Sequence, residues 1–120
     1  MASKPKQLTL FVDFYIQPSR IEEWKKAHRP VWDFYTSQPK YLLFDVFRDP
    51  SDEGHFRLVE VWSENREWIE TKQLAQPIYA NLWEKSKPTW AKDVRIEYWE
   101  REGEGCSYKK AYLEGGRLMD

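Results

Sequence analysis

Two hydrophobic periods follow one another along this chain, and their order constrains the fold more than any other feature. From Leu8 to Ile16 the residues alternate. Leu8, Leu10, Val12, Phe14 and Ile16 fall on one side, and Thr9, Phe11, Asp13 and Tyr15 on the other, the pattern of a strand. After Pro18 and Ser19 the period lengthens: Ile21, Trp24, His28, Val31 and Tyr35 recur at intervals of three and four and define one helical face. Ser19 with Glu22 behind it has the spacing of a capping box and predicts the helix start. Pro30 removes a backbone donor inside this helix and predicts a kink near Lys26 to Pro30. A second strand over Tyr41 to Phe47, a turn in DPSDEG from Asp49 to Gly54, and a third strand over His55 to Trp62 read as a hairpin. Ser63 is the expected N-cap of a helix from Glu64 to Leu74. Pro77 restarts a helix through Ile78, Tyr79, Leu82 and Trp83, which Lys87 and Pro88 end, and Val94 to Trp99 alternates as a fourth strand.

The order βαββαβ predicts an α+β fold, the ferredoxin-like split arrangement, with helices on one face of an antiparallel sheet. The other face also reads as apolar: Phe11 and Tyr15, Leu43 and Phe47, Val59 and Val61, and one register of the fourth strand. A sheet of that kind predicts a homodimer packed sheet to sheet. At 120 residues the chain is expected to be one domain, residues 1–120, with a core over about 8–100 and a Gly-containing tail over 101–120, where Lys109 and Lys110 read either as closing over a partner's pocket or, more simply, as part of a frayed terminus.

The core must draw heavily on large rings, because 7 Trp, 7 Tyr and 6 Phe make up 17% of a chain whose mean hydropathy is −0.84. Charge is balanced, with 19 Lys and Arg against 20 Asp and Glu, which argues against an electrostatic nucleic-acid binder. One cysteine, Cys106, and two histidines, His28 and His55, cannot make an intramolecular disulfide or a Cys/His zinc set; a carboxylate metal site stays open, but no ligand spacing suggests one. No apolar run approaches the length of a membrane helix, and the polar start MASKPKQ does not read as a signal peptide, so a cytoplasmic location is expected.

The run FRLVEVW from Phe56 to Trp62, preceded by RDPSDEGH and followed by SENREW, resembles the antibiotic biosynthesis monooxygenase (ABM) domain family. Downstream, Gln73-Leu74, Pro77-Ile78-Tyr79 and Lys87-Pro88-Thr89-Trp90 look like its fungal branch, and the resemblance spans Leu8 to Trp99. It implies a dimeric α+β barrel in which each protomer keeps a pocket between its own sheet and helices. Members include oxygenases that oxidise anthrone-type aromatics with dioxygen, without metal or flavin, while other members of the fold are cyclases, lyases, isomerases and haem-degrading proteins. Trp62 matches the family's pocket tryptophan and Glu60 its acidic partner. Anthrone-oxidising members carry an Asn and a Tyr where this chain has Leu58 and Trp68. Where many bacterial members carry a His, this chain has Thr71, Lys72 and Gln73.

Three residues, His28, Glu60 and Trp62, are candidates for chemistry. His28 has an ordinary pKa of about 6.5, suited to a general base, and lies on the apolar helix face. Glu60 shares the parity of Phe56, Leu58 and Trp62, so it is a buried carboxylate facing the helices, beside Trp62. Trp24, Trp32, Tyr35, Trp68, Tyr79, Trp83 and Trp90, with Leu58 and Gln73, are the expected substrate-binding set. Asp13 points to the opposite face and reads as salt-bridged, His55 as solvent-facing, and Cys106 has no base beside it. The reading is a cofactor-independent monooxygenase-like enzyme acting on a small aromatic or apolar secondary metabolite. The alternatives are a non-oxidative cyclase, lyase or isomerase on the same barrel, or a non-catalytic small-molecule-binding dimer. Haem degradation ranks lower, because only His28 is placed to ligate iron.

Overall fold

The computed structural model describes residues 7–119; the polar segment over 1–6 and Asp120 lie outside the described residues. The elements are β1 (Leu8–Ile16), α1 (Ile21–Tyr35), β2 (Tyr41–Asp49), β3 (Asp52–Trp62), α2 (Arg66–Trp68), α3 (Pro77–Ser86) and β4 (Trp90–Glu100). The strands form one antiparallel sheet in the order β2-β3-β1-β4, so the fold is α+β and ferredoxin-like, as the alternating periods predict.

Register decides which residues meet the helices. Leu10 lies opposite Glu60 on β3 and Tyr98 on β4, and Phe14 lies opposite Phe56. Leu8, Leu10, Val12, Phe14 and Ile16 are therefore buried together with Phe56, Leu58 and Trp62 beneath the helices. Onto this face α1 lays Trp24, His28, Val31 and Tyr35, and α3 adds Tyr79 and Leu82. Rings fill the layer: Trp24 stacks on Phe56 at 4.7 Å, and Tyr35 meets Trp62 edge to face at 5.6 Å. At the sheet's end, a Cβ on Gly54 would lie 2.2 Å from the Ile16 carbonyl oxygen, so only glycine lets β3 pass this close to β1.

Local details differ from the sequence reading. Ser19 sits in a single 3₁₀ turn, Pro18–Arg20, and makes no cap bond; α1 begins after it with Glu22 and Glu23 in its first turn. The helix continues through Pro30, which is exposed beside Lys26, where the carbonyl freed by the missing donor meets water. Ser63 does not cap α2, because its backbone N–H is tied to the Lys40 carbonyl at the sheet's end (2.9 Å); Asn65 Oδ1 instead accepts from the Trp68 N–H at 2.8 Å. The long helix expected to Leu74 is one α turn followed by a π-helical stretch, Ile69–Gln73, closed by the Leu74 N–H on the Ile69 carbonyl. This wider turn brings Ile69 and Gln73 both inward.

The outer face carries Phe11, Tyr15, Leu43, Phe47, Val59 and Val61 as expected, but the outward register of β4 is not apolar. It presents Lys92, Arg95 and Glu97 beside Trp99. The tail is not frayed. The Arg101 N–H bonds the Gln7 carbonyl, the Tyr112 hydroxyl donates to Asp45 Oδ2 at 3.1 Å, and Arg117 pairs with Asp33 of α1 at 2.9 Å. It thus arches from β4 over the outer face to the β2 edge, above a cleft of about 1020 Å³ lined by Phe11, Phe47, Val59, Tyr108 and Tyr112 among others. Among the described residues no helix is long and apolar enough to cross a membrane.

Candidate active site

Glu60 lies inside the layer between sheet and helices, 8% exposed. Trp62 Nε1 donates to its Oε1 at 3.1 Å, and the Tyr35 hydroxyl lies against the carboxylate and against the Tyr79 hydroxyl. Tyr79 in turn accepts from Gln73 Nε2 at 2.9 Å, and Gln76 Nε2 donates to Gln73 Oε1 and to Gln38 Oε1. Burial pushes the Glu60 carboxyl up to about 7, against the smaller opposing pull of the bonds from Trp62 and Tyr35. The same burial raises Tyr35 well above the usual phenol range and Tyr79 to about 12. Glu60 is thus a carboxyl that takes and releases a proton near neutrality, with two phenols that stay protonated as donors beside it.

His28 belongs to a second polar group. Its Nε2 shares a 2.7 Å hydrogen bond with Ser86 Oγ, which also accepts from Trp90 Nε1 at 2.9 Å; Thr89 Oγ1 donates to the Ser86 carbonyl at 2.6 Å. Ser86 and Thr89 are fully buried. With no carboxylate in this group, burial lowers His28 to about 3. The expected base near 6.5 is therefore a neutral imidazole with little proton affinity. Around His28 stand Trp24 at 4.8 Å and Trp32 at 6.1 Å between ring centroids. The Nε1 atoms of both indoles are buried without a hydrogen-bond partner. Leaving such a donor unsatisfied costs roughly 1–3 kcal/mol.

The other predicted residues divide between these groups. Trp68 packs on Trp62 at 6.3 Å, and Leu58 lies two residues from Glu60 on the same face. Trp83 and Trp90 meet edge to face at 6.0 Å, both against Phe14, on the His28 side. His28 and Glu60 share no hydrogen-bond partner. Ser86 escaped the sequence reading although Tyr79, Leu82 and Ser86 continue at intervals of three and four, which puts a serine on a buried helix face.

His55 does not face solvent. Its Nε2 bonds Asp13 Oδ1 at 2.8 Å, its Nδ1 bonds Asp49 Oδ2 at 3.2 Å, and its ring stacks on Tyr15 at 4.6 Å. Asp13, 2% exposed, is salt-bridged as expected, receiving Arg57 Nε at 3.0 Å and Nη2 at 3.3 Å. Burial raises the Asp13 carboxyl, but the bonds and charges of Arg57 and His55 together outweigh it and hold the group below the usual carboxylate range. Among the described residues no three His, Cys, Asp or Glu side chains are grouped so as to hold a metal ion.

No family model matches the chain. In sequence it is similar to a candidate monooxygenase of Pestalotiopsis microspora, 26% identical over 102 residues that cover 84% of this chain and 85% of that protein. In fold it is similar to candidate antibiotic biosynthesis monooxygenases from Nitrosomonas europaea (TM-score 0.73, 14% identity, 87% of this chain and 98% of that one) and Caulobacter crescentus (TM-score 0.70, 17% identity, 79% and 89%). A further antibiotic biosynthesis monooxygenase structure gives a TM-score of 0.68 at 22% identity over 77% of this chain and 95% of that one. The chain thus resembles the ABM-domain family in its strand motif, in a monooxygenase-named relative and in its fold.

Proposed function

We propose that this protein is a cofactor-independent monooxygenase-like enzyme for a small, apolar or aromatic substrate bound between sheet and helices, with Glu60 as its base. The observation that carries the reading is a buried carboxyl held near pH 7, bonded to an indole N–H and faced by a phenol, in an interior lined with rings. In such a site Glu60 takes a proton from an activated C–H of the substrate, and the carbanion gives its electrons to dioxygen, forming a peroxide anion. Glu60 returns the proton, and loss of water from the hydroperoxide leaves a carbonyl. One oxygen atom enters the product and one leaves as water, both hydrogens come from the substrate, and no external reductant is consumed. Trp62 and Tyr35 position the carboxylate through their donors.

The same base next to a phenol serves a proton-transfer reaction equally well, so dependence on oxygen separates the oxygenase from a cyclase, lyase or isomerase. Purified protein mixed with anthrone is expected to consume one dioxygen per product formed; turnover that continues without oxygen, or no uptake at all, overturns the reading. The outer face supports a homodimer, since Phe47 is 43% and Trp99 57% exposed there. Sedimentation is expected to give twice the chain mass.

A further inference from the structure

The Glu60 chemistry leaves the outer face of the sheet without a use. There the tail roofs β1, β3 and β2 over the cleft of about 1020 Å³, whose floor is Phe11, Leu43, Val59 and Val61. Among the described residues none of β4 lines it. β4 is an edge strand in the order β2-β3-β1-β4, and its outward Trp99 is 57% exposed, with Nε1 donating to Glu97 Oε2 of the same strand at 3.0 Å. In the roof, Tyr108 and Tyr112 line the cleft and are still 67% and 58% exposed.

A small ligand does not account for these rings. An aromatic side chain carries 150–250 Å² of surface, so the exposed parts of Phe47, Trp99, Tyr108 and Tyr112 amount to roughly 450 Å². Each partner in a stable protein complex covers about 800 Å², and these four rings supply more than half of that. A molecule filling the cleft covers its floor and leaves Trp99 bare.

Register gives a second copy its place. Trp99 stands opposite Thr9, Thr9 opposite Val61 and Val61 opposite Leu43, one row across the outer face. Neighbouring strands lie about 5 Å apart, so Trp99 and Val61 flank Thr9 at equal distances. A two-fold axis running along β1 between two facing sheets exchanges those sides, and Trp99 of each copy then comes down over Val61 of the other. The same patch holds both the ridge and its socket, as a self-complementary interface requires. An edge strand enters beneath the other copy's tail without parting any pair of strands.

We propose that the cleft under the tail is a socket for a second copy of this chain: β4 of each copy seats Trp99 in the cleft of the other, and the tail closes over it as an arm. This rests on the homodimer reading and goes beyond it, because it assigns the strand that is seated and the segment that grips it. It is independent of the chemistry at Glu60.

The test is complementation between two exposed substitutions, one in the ridge and one in the arm. Trp99→Ala is expected to weaken dimerisation by roughly 10³-fold, since every dimer loses a central ring anchor twice, and Tyr108→Ala by less. When the two variants are mixed in equal amounts above their dissociation constants, the heterodimer keeps one ridge and socket intact and puts both defects in the other pair. Groups in contact are not additive, so native mass spectrometry is expected to show the heterodimer above its statistical half. A statistical mixture, or a Trp99→Ala dimer as tight as wild type, removes the socket and leaves the homodimer. A wild-type chain that stays monomeric at every concentration, or a monomer carrying the extra mass of a small molecule, overturns the socket and the homodimer together. If either variant fails to fold, a half-isotope-labelled wild-type dimer decides: nuclear Overhauser contacts between Trp99 of one copy and Tyr108 of the other are expected, and their absence removes the socket. None of these measurements reads turnover, so the oxygenase reading stands or falls separately on oxygen uptake.

Discussion

Glu60 and Asp13 are buried acids on neighbouring strands of one sheet, facing opposite sides, and their proton affinities are displaced in opposite directions. Asp13 has a two-pronged guanidinium and an imidazole against it; Glu60 has only an indole N–H and a phenol. Desolvation acts on both, so what separates them is the presence of a counter-cation. With one, the carboxylate is locked as a charge and ties strands together. Without one, it becomes a group whose proton comes and goes near neutrality. The comparison breaks first on catalysis. Glu60→Gln keeps shape and hydrogen bonding but cannot take a proton, and is expected to lower kcat by roughly 10²–10⁴-fold on any substrate the wild type turns over, with an unchanged circular dichroism spectrum. Asp13→Asn is expected to leave kcat nearly intact. Equal losses in both variants would erase the distinction.

The next largest effect is in stability against pH. Below about 4.5 Glu60 is protonated whether the chain is folded or not. Between 4.5 and about 7 the unfolded chain ionises first, so stability falls as pH rises, by about 3 kcal/mol in all, and changes no further above 7. His28 acts the other way. Its folded value of about 3 lies below the unfolded 6.5, so its contribution is intact above 6.5 and is lost as pH falls toward 3. The two slopes oppose each other between 4.5 and 6.5, and the wild-type curve alone hides both. Urea unfolding of wild type and Glu60→Gln at matched pH is expected to show their difference growing through that window in favour of the variant. A constant difference would mean that Glu60 is not desolvated.

The legible part of this molecule is the part written in periods. Alternation in β1 and β3 put Glu60 and Trp62 under the helices and Asp13 on the other face, and the three-and-four spacing put Trp24, His28 and Tyr35 opposite them. Who bonds to whom was not legible, because partners come from register and crossing positions. The Tyr79 that faces Tyr35 and the Ser86 that holds His28 lie 44 and 58 residues away from them. His55 shows the limit best. A histidine after a polar turn reads as exposed, yet the register that sets Asp13 against Arg57 and Tyr15 against His55 draws its ring between two carboxylates. The π-helical stretch was hidden for a similar reason: its inward Gln73 meets the Tyr79 hydroxyl, a partner on the following helix.

A smaller effect tests Asp13 itself. Asp13→Asn removes the charge that Arg57 and His55 share. Half of the Arg57 side chain is exposed and regains water, so the loss is expected below that of a fully buried pair, at about 2 kcal/mol, read as a lower urea midpoint at neutral pH. The wild-type advantage is expected to disappear as pH drops below 3.8, because the lowered carboxyl stabilises the fold only while ionised. A deficit that persists in acid would assign the effect to packing instead.

The smallest effect separates the two faces of the sheet. On the helix face the rings are locked by one another, whereas on the outer face the tail touches down at few places, one of them the exposed bond from Tyr112 to Asp45. Tyr112→Phe removes only that bond, and if the tail merely lies over its own sheet the change in stability is expected within about 0.5 kcal/mol, as for other surface substitutions. If a second copy packs on Phe47 and Trp99, the tail lies at the rim of a shared surface. The loss then grows as the protein is diluted, because unfolding is linked to dissociation. Thermal unfolding of wild type and Tyr112→Phe over a dilution series reads the difference: parallel midpoints make the tail an internal cover, and diverging ones make it part of the grip between protomers.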